Sequence, residues 1–216
     1  MAADRVLYNQ LTNALTDAAA SHASGRLIDI GCGTKPWEPL FARHVSEHIG
    51  VDLESSGGPH TDRIDIFGSA YSVPLESESA DTVLLTEVLE HLADPLRALE
   101  EAHRLLRRGG AVILTTPLLF PIHAPDDYFR YAPRGLEHLL RAAGFTDIAV
   151  RPLSGQWTTL SMLRGIALNP YRRGPLLQAL IDAYCTVSLA LAVRLDEADF
   201  RANYSWNHVA TARKPE

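Results

Sequence analysis

The chain has 216 residues, of which 46% are hydrophobic and 21% are charged. This length favours one domain, and the composition excludes collagen-like, coiled-coil and disordered chains. Two cysteines, Cys32 and Cys185, are too few for a disulfide scaffold. The 26 acidic residues outnumber the 20 basic ones and give a net charge of −6. No nucleic-acid partner is expected, because proteins that grip a phosphate backbone usually carry a basic excess.

The N-terminal segment, residues 1–24, is predicted to be an amphipathic helix. Leu7, Leu11 and Leu15 recur every four residues and would share one face of that helix. Polar residues interrupt every apolar run, so no secretory signal is expected. Together with the unpaired cysteines, this favours the cytoplasm.

Short apolar segments that alternate with helical stretches are predicted as strands. They cover residues 26–30, 49–53, 63–67, 81–86, 111–115, 147–150 and 208–212. The alternation indicates an α/β fold, Rossmann-like and doubly wound, with a mostly parallel seven-stranded sheet in three α/β/α layers. We expect a single domain over residues 1–216, with a core over 25–150, a helical insertion over 154–207 and a last strand over 208–214.

Proline, aspartate and glycine mark the ends of three predicted helices. Pro36 suits the first turn of a helix that runs through Arg43. Asp94 is the expected N-cap of a second helix, with Gly109 as its C-terminal stop. A third helix covers residues 133–143.

The segment DIGCGTKP, residues 29–36, follows the first predicted strand. Gly31 and Gly33, on either side of Cys32, allow the backbone to turn tightly and to approach a ligand. Asp29 ends the strand, so its carboxylate is expected in the crevice at the carboxyl edge of the sheet. Ligands bind at this edge in doubly wound folds.

Two further acids close the next two strands. Asp52 is placed to accept hydrogen bonds from both hydroxyls of a ribose. Asp65 and Phe67 offer a carboxylate for an adenine amine and an aromatic side chain for its ring. Three acids at consecutive strand ends suit a nucleoside without phosphate, since a pyrophosphate prefers amides and positive charge.

Four segments now carry a resemblance to a known family: LIDIGCGTKP, VDL, ADTVLLTEVLEHL and LLRRGGAVILTTP. In this order they resemble the class I S-adenosylmethionine-dependent methyltransferases, above all the type 11 group that acts on small molecules. The resemblance covers about residues 25–150 and the final strand. It implies S-adenosyl-L-methionine as cofactor and S-adenosyl-L-homocysteine as product.

The resemblance also implies roles for cofactor-binding residues in the loops that follow the first four strands. They are Asp29, Gly31, Cys32, Gly33 and Lys35 around the methionine part, Asp52 on the ribose with Leu53 against the adenine, Asp65 at the adenine amine with Ile66 and Phe67 beside the ring, and Thr86 with Glu87 on the sulfonium side.

Two alternatives stay open. One is a module that binds the same cofactor without catalysis. The other is an NAD-linked oxidoreductase, since Asp52 follows the glycine turn at a spacing common in dinucleotide-binding folds. Pro36 replaces the third glycine of that fingerprint, and Asp29 would lie close to a pyrophosphate, so both residues argue against NAD.

Histidines are the candidate catalytic groups. His91 lies four residues after Glu87 and is read either as a base near the methyl group or as a residue that shapes the loop. His123 is the preferred general base because its unperturbed pKa lies near working pH. Asp126 or Asp127 would orient it; otherwise Asp127 pairs with Arg130.

The same proline-rich segment, residues 117–131, offers Tyr128, Arg130 and Tyr131 as contacts for the methyl acceptor. His123, Asp126 and Asp127 are also conceivable metal ligands, but their loose spacing is common by chance, and no metal is expected. The sequence after the fourth strand, TEVL, lacks the D/N-P-P-Y motif of amino-methyltransferases. Oxygen is therefore preferred over nitrogen, on a sugar, a secondary metabolite or a quinone-like lipid.

The insertion over residues 154–207 is too long for an ordinary connection. It contains Trp157, a further candidate for acceptor contact, and an apolar stretch over 176–195. A bilayer span is disfavoured by Asp182 and by the need for the last strand to return to the sheet. A buried helix, a lid or a homodimer face is preferred, and contact with a lipid or a membrane surface is the alternative.

Overall fold

A computed structural model describes residues 2–54 and 61–216. Seven strands form one sheet in the order β3-β2-β1-β4-β5-β7-β6. They are β1 (Arg26–Ile30), β2 (Glu47–Asp52), β3 (Ile66–Phe67), β4 (Ala80–Thr86), β5 (Leu106–Pro117), β6 (Thr146–Pro152) and β7 (Asn207–Arg213). Only β7 runs antiparallel to its neighbours. The predicted mostly parallel, doubly wound sheet is confirmed.

Among the described residues, six α-helices flank or extend this sheet. They are α1 (Ala2–His22), α2 (Glu38–Phe41), α3 (Pro95–Leu105), α4 (Pro133–Ala142), α5 (Gln156–Leu168) and α6 (Pro175–Ala198). Single 3-10 turns cover Thr61–Arg63, Leu89–His91, Asn169–Tyr171 and Ala202–Tyr204. The turn at Leu89–His91 directly follows β4 and contributes to the candidate site.

Apolar side chains alternate between the two faces of the sheet and build two cores. On one face Ile28 and Val83 belong to the cluster that packs under α3 and α4. On the other face Leu27, Leu84 and Ile113 join the cluster of α1 and α2. This period-two alternation is what a sheet covered on both sides requires, and it produces the three layers.

Helix α3 begins as predicted and ends earlier than predicted. The Asp94 side chain caps it by accepting a hydrogen bond from the Arg97 backbone N–H at 3.3 Å. The helix stops at Leu105, however, because the extended and fully buried Leu106 pairs with Ala80 at the start of β5. Gly109 is therefore not a helix stop; its φ of 74° makes a bend within the strand.

Two other predicted elements are shorter in the structure. The helix expected from Pro36 to Arg43 comprises only Glu38–Phe41. The strand expected over residues 63–67 is reduced to Ile66–Phe67, because the 3-10 turn Thr61–Arg63 takes up its start.

The insertion forms α5 and α6, which pack against each other. Buried Asp196 of α6 fixes the start of α5 by accepting hydrogen bonds from the backbone N–H groups of Trp157 (3.0 Å) and Thr158 (2.9 Å). The expectation of a buried helix is wrong for α6, since large side chains such as Leu176 (74% exposed) and Val187 (69% exposed) face outward. Contact of this face with a second copy of the chain or with a lipid surface stays a prediction.

In the described part of the chain one helix, α6, is long and apolar enough to cross a membrane. Its position in the fold argues against a crossing. The chain leaves α6 at Ala198 and enters β7, which lies in the sheet between β5 and β6. A bilayer crossing by α6 would place β7 on the other side of the membrane from its neighbouring strands.

His208 makes the stability of the fold sensitive to pH. Its side chain in β7 is buried, neither ring nitrogen has a hydrogen-bond partner among the described residues, and burial lowers its pKa to about 4. The unfolded chain takes up this proton near pH 6.5, so stability falls as the pH drops from 6.5 towards 4. For this residue alone we expect a loss of about 2 kcal/mol between pH 7 and pH 5.

Urea unfolding of wild type and His208→Leu at both pH values measures this loss. The variant should lose about 2 kcal/mol less than wild type, whereas His138→Leu, at an exposed position of α4, should behave as wild type. Equal losses in wild type and His208→Leu would contradict the prediction.

Candidate functional site

The loop after β1 turns sharply towards the carboxyl edge of the sheet. Gly31 has a φ of 73°, and a Cβ at this position would lie 2.5 Å from Val88 Cγ2, so only glycine fits. The backbone N–H groups of Gly31 and Cys32 both donate to the Val51 carbonyl, at 2.8 and 3.2 Å. Gly33 also has a positive φ, 50°. The predicted glycine turn is present and brings backbone to the cavity.

Asp52 closes β2 beside this turn. Its Oδ2 accepts a hydrogen bond from the Gly33 N–H at 2.9 Å, and its Oδ1 accepts one from the Leu53 N–H at 2.7 Å. These two bonds fix the carboxylate at the carboxyl end of the strand. Asp52 and Leu53 both line the large cavity described next.

A cavity of about 650 Å³ opens at this edge, a size that suits a nucleoside and a small second ligand. Its walls come from the loops after β1 to β4 and from the segment after β5. The lining residues are Ile30, Gly31, Asp52, Leu53, Gly68, Ser69, Ala70, Tyr71, Glu87, Val88, His91, Leu92, Ala93, Ala124, Pro125, Asp126 and Tyr128.

Several residues assigned to the cofactor do not line the cavity. The Asp29 carboxylate is 1% exposed, and its Oδ2 lies 3.1 Å from His48 Nε2, so it does not point into the crevice as expected. Lys35 is buried and pairs with Asp65, whose Oδ2 also accepts from the Gly50 N–H at 2.7 Å. This network supports the glycine turn from below.

Four further predicted cofactor residues also lie off the wall, whereas Glu87 is on it. Cys32 is buried, and burial raises the pKa of its thiol to about 12, so it packs as a neutral group. Ile66 packs against the core, while Phe67 is half exposed. Thr86 pairs with Thr115 across the sheet.

The loop after β3 contributes wall residues that the sequence reasoning did not identify. Gly68, Ser69, Ala70 and Tyr71 line the cavity, one to four residues beyond the two-residue strand. A short strand followed at once by glycine and serine was the available signal. A predicted strand over residues 63–67 hides this signal, because it places Asp65 at the centre of the strand.

Glu87 begins the loop after β4 with a positive φ of 54°. Its backbone N–H donates to both the carbonyl and the hydroxyl oxygen of Thr115, each at 3.2 Å. Its Oε1 accepts a hydrogen bond from Asn207 Nδ2 at 2.8 Å. Burial raises the pKa of the Glu87 carboxyl. Asn207, at the start of β7, is a second residue that sequence reasoning missed.

The 3-10 turn Leu89–His91 places an acid and a histidine side by side. Glu90 is fully buried, and burial, together with the nearby carboxylate of Glu87, raises its pKa to about 8. His91 lines the cavity, and its Nδ1 lies 2.8 Å from the Asp126 carbonyl oxygen. Glu90 was not among the predicted site residues, although it stands next to His91.

His123 lies behind the cavity wall, with its ring 5.0 Å from that of His91 in an edge-on contact. Its Nδ1 is 3.1 Å from Asp127 Oδ2, and Asp127 also accepts hydrogen bonds from the two terminal guanidinium nitrogens of Arg130. That guanidinium lowers the pKa of Asp127 well below its usual range. Both interpretations of Asp127 therefore describe real contacts: it touches His123 and pairs with Arg130.

The candidate acceptor contacts separate into two groups. Tyr128 lines the cavity, and so does Asp126. Tyr131 is buried with its hydroxyl donating to the Leu89 carbonyl at 2.9 Å, Arg130 is engaged by Asp127, and Trp157 lies at the start of α5 away from the lining.

Comparison with known proteins decides the family. Residues 4–150, more than half of the chain, match a family model described as a methyltransferase domain. The chain belongs to the class I S-adenosylmethionine-dependent methyltransferases. This assignment removes the support for an NAD-linked oxidoreductase and gives the methyltransferase S-adenosylmethionine as its cofactor.

Two curated relatives illustrate the sequence similarity of this methyltransferase. The ubiquinone biosynthesis O-methyltransferase of Ruegeria pomeroyi is 31% identical over 165 residues, 62% of this chain and 66% of that protein. A probable S-adenosylmethionine-dependent methyltransferase of Mycolicibacterium smegmatis is 33% identical over 104 residues, 45% of this chain and 40% of that protein. The chain thus spans less than two thirds of these relatives.

Solved structures agree on the fold. The [4+2]-cyclase SpnF matches with a TM-score of 0.64 and 23% identity, over 95% of this chain and 80% of SpnF. A possible histamine N-methyltransferase from Thermotoga maritima matches with a TM-score of 0.59 and 20% identity, over 90% of this chain and 84% of that one. A cyclase and a possible N-methyltransferase share this fold, so the fold alone does not determine the reaction.

The positions of Asp52 and Asp65 lead to a test of their expected roles. Asp52→Asn should weaken binding of S-adenosylhomocysteine about tenfold to a hundredfold, because a charged hydrogen-bond acceptor on the cavity wall is lost. Asp65→Asn should change the affinity less than threefold, because Asp65 does not line the cavity and its carboxylate bonds to Lys35 and Gly50. Isothermal titration calorimetry measures both.

Thermal unfolding of each variant shows whether the fold is intact. An equal loss of affinity in both folded variants would contradict this prediction. It would support the adenine contact that the family resemblance implies for Asp65.

Proposed function

We propose that the protein transfers the methyl group of S-adenosylmethionine to a hydroxyl oxygen of a small molecule. The observation that carries the proposal is the composition of the cavity. Its cofactor side offers the glycine turn and Asp52, and its opposite side offers His91, Asp126 and Tyr128. A sulfonium is a good leaving group, so the protein has to align the acceptor with the methyl carbon and help to remove the acceptor's proton.

Oxygen is the proposed acceptor atom for two reasons. The ubiquinone biosynthesis O-methyltransferases are relatives at about 31% identity, and the loop after β4 reads TEVL without an amino-methyltransferase motif. A hydroxyl also needs deprotonation as it attacks, which gives the two adjacent imidazoles of His91 and His123 a use. Candidate acceptors are a sugar, a secondary metabolite or a quinone-like lipid.

The proposal places the enzyme in the cytoplasm. Cys32 and Cys185 are both free, as is usual for a protein of a reducing compartment.

Paired acceptors test the choice of atom. Phenols and the matching anilines, each with and without an isoprenoid chain, are incubated with methyl-labelled S-adenosylmethionine, and products are identified by mass spectrometry. We expect methyl ethers from the phenols and no methylated anilines. Preferential N-methylation would contradict the proposal. Tight cofactor binding without any product would instead favour the non-catalytic module.

His123→Gln tests the histidine pair. Turnover should fall about a hundredfold, the typical effect of losing assistance to proton removal, while affinity for S-adenosylhomocysteine stays within threefold because His123 is not on the cofactor side. His138→Gln, on the exposed face of α4, is the matched control and should leave both quantities unchanged. Unchanged turnover in His123→Gln would exclude the role.

A further inference from the structure

Three side chains with metal-binding atoms converge behind the acceptor side of the cavity. Glu90 and His91 come from the 3-10 turn after β4, and His123 comes from the segment after β5. One ligand atom from each lies within 4.8 Å of the other two. We call this group the Glu90–His91–His123 cluster.

The Glu90 carboxylate is an independent indication of a missing partner. Its side chain is 0% exposed, and neither oxygen has a hydrogen-bond partner within residues 2–54 and 61–216. Its Oε1 lies 3.8 Å from His91 Nε2, so the carboxylate is directed at the cluster and not at the core. Buried polar groups are nearly always paired, and buried carboxylates almost without exception.

In each imidazole of the cluster, Nδ1 contacts a backbone carbonyl oxygen. His91 Nδ1 lies 2.8 Å from the Asp126 carbonyl oxygen. His123 Nδ1 lies 3.4 Å from the Pro121 carbonyl oxygen and 3.1 Å from Asp127 Oδ2. A histidine that binds a metal almost always donates its other N–H to a carbonyl or a carboxylate, which fixes its orientation. Both histidines have that arrangement, and in His91 the other nitrogen, Nε2, lies 3.8 Å from the Glu90 carboxyl.

We propose that the Glu90–His91–His123 cluster binds one divalent transition-metal ion, of which Zn²⁺ is the representative. Two imidazoles and one carboxylate are the ligand set of catalytic zinc sites and of other open three-ligand sites. Tetrahedral ligands at about 2.1 Å from zinc lie about 3.4 Å apart, so the cluster contracts by about 1 Å on binding. The half-exposed His123 ring has room for that movement.

Three protein ligands leave a coordination position open. His91 lines the cavity, so this position faces the space that the proposed function gives to the methyl acceptor. This part of the inference rests on that proposed function. An acceptor hydroxyl bound there becomes more acidic and releases its proton to water. Its oxygen lone pair then forms the bond to the methyl carbon, the C–S bond breaks, and its electrons stay on sulfur, giving the methyl ether and S-adenosylhomocysteine.

Metal binding is tested first without cofactor or acceptor. The full chain is treated with chelator, loaded with Zn²⁺ or with Co²⁺ as a spectroscopic substitute, and desalted. Elemental analysis should find one metal ion per chain, and Co²⁺ should give the visible absorption of a site with nitrogen and oxygen ligands. His91→Gln, His123→Gln and Glu90→Gln should each weaken Zn²⁺ affinity at least a hundredfold in calorimetry.

His138→Gln is the control for incidental binding by a surface histidine and should bind Zn²⁺ as wild type does. His123→Gln keeps the test decisive if Glu90→Gln does not fold, since the His123 side chain is 37% exposed and its replacement leaves no buried gap. Wild type without stoichiometric metal, or folded His91→Gln and His123→Gln with unchanged affinity, would overturn the proposal.

Activity assays separate this inference from the proposed function. Stoichiometric metal with no methyl transfer to any acceptor would leave the metal site standing and overturn the O-methylation proposal. O-methylation that is equally fast in chelator-treated, metal-free protein would overturn the role of the metal in the reaction. The expected result is a loss of turnover on chelation that Zn²⁺ or Co²⁺ restores, with unchanged affinity for S-adenosylhomocysteine.

Discussion

The site depends on the parallel alignment of β1, β2, β4 and β5. Parallel strands end at the same edge of a sheet, so every loop that follows a carboxyl end is brought to one place. Asp29 pairs with Gly50 on one side and with Leu84 on the other, and this register fixes the height at which each loop leaves the sheet. A shift of one residue in any of these pairings would turn the side chains at the strand ends to the opposite layer.

The last strand, β7, also stabilises the carboxyl edge of the sheet. β7 lies between β5 and β6 although it comes last in the chain, and its first residue, Asn207, donates a hydrogen bond to Glu87 at the end of β4. The insertion that precedes β7 is joined to the fold by Asp196, which accepts two backbone hydrogen bonds at the start of α5. The insertion therefore lengthens the chain without displacing the strand that completes the sheet.

The fold class and the family could be predicted from the sequence because they rest on local signals. Apolar periodicity, the glycine turn at Gly31 and the cap at Asp94 can each be recognised from a few consecutive residues. What could not be predicted depends on distant partners. Asp29 and Asp65 are acids at strand ends, as expected for ligand contacts, yet neither lines the cavity. Asp29 is engaged by His48, and Asp65 is engaged by Lys35 and the Gly50 amide.

The predictions that a helix ends at Gly109 and that α6 is buried are wrong for the same reason. Leu106 is not helical because it pairs with Ala80 of β4, and no local sequence pattern predicts that pairing. The apolar composition of α6 suggested burial, but only the packed structure shows how little of it α1 and α5 cover. Composition alone does not distinguish a core helix from an exposed apolar surface.

The unpartnered, buried carboxyl group of Glu90 is a feature that the sequence alone does not reveal. A charged carboxylate without a partner costs several kcal/mol in a protein interior, a large share of the 5–15 kcal/mol that stabilises a typical domain. That cost is removed by a proton or by a cation. The guanidinium of Arg130 is already committed to Asp127, whereas His91 Nε2 lies within 4 Å of Glu90 with its other nitrogen engaged. Two imidazoles with Nδ1 fixed cannot neutralise the acid while uncharged, but together with it they form a binding site for a cation.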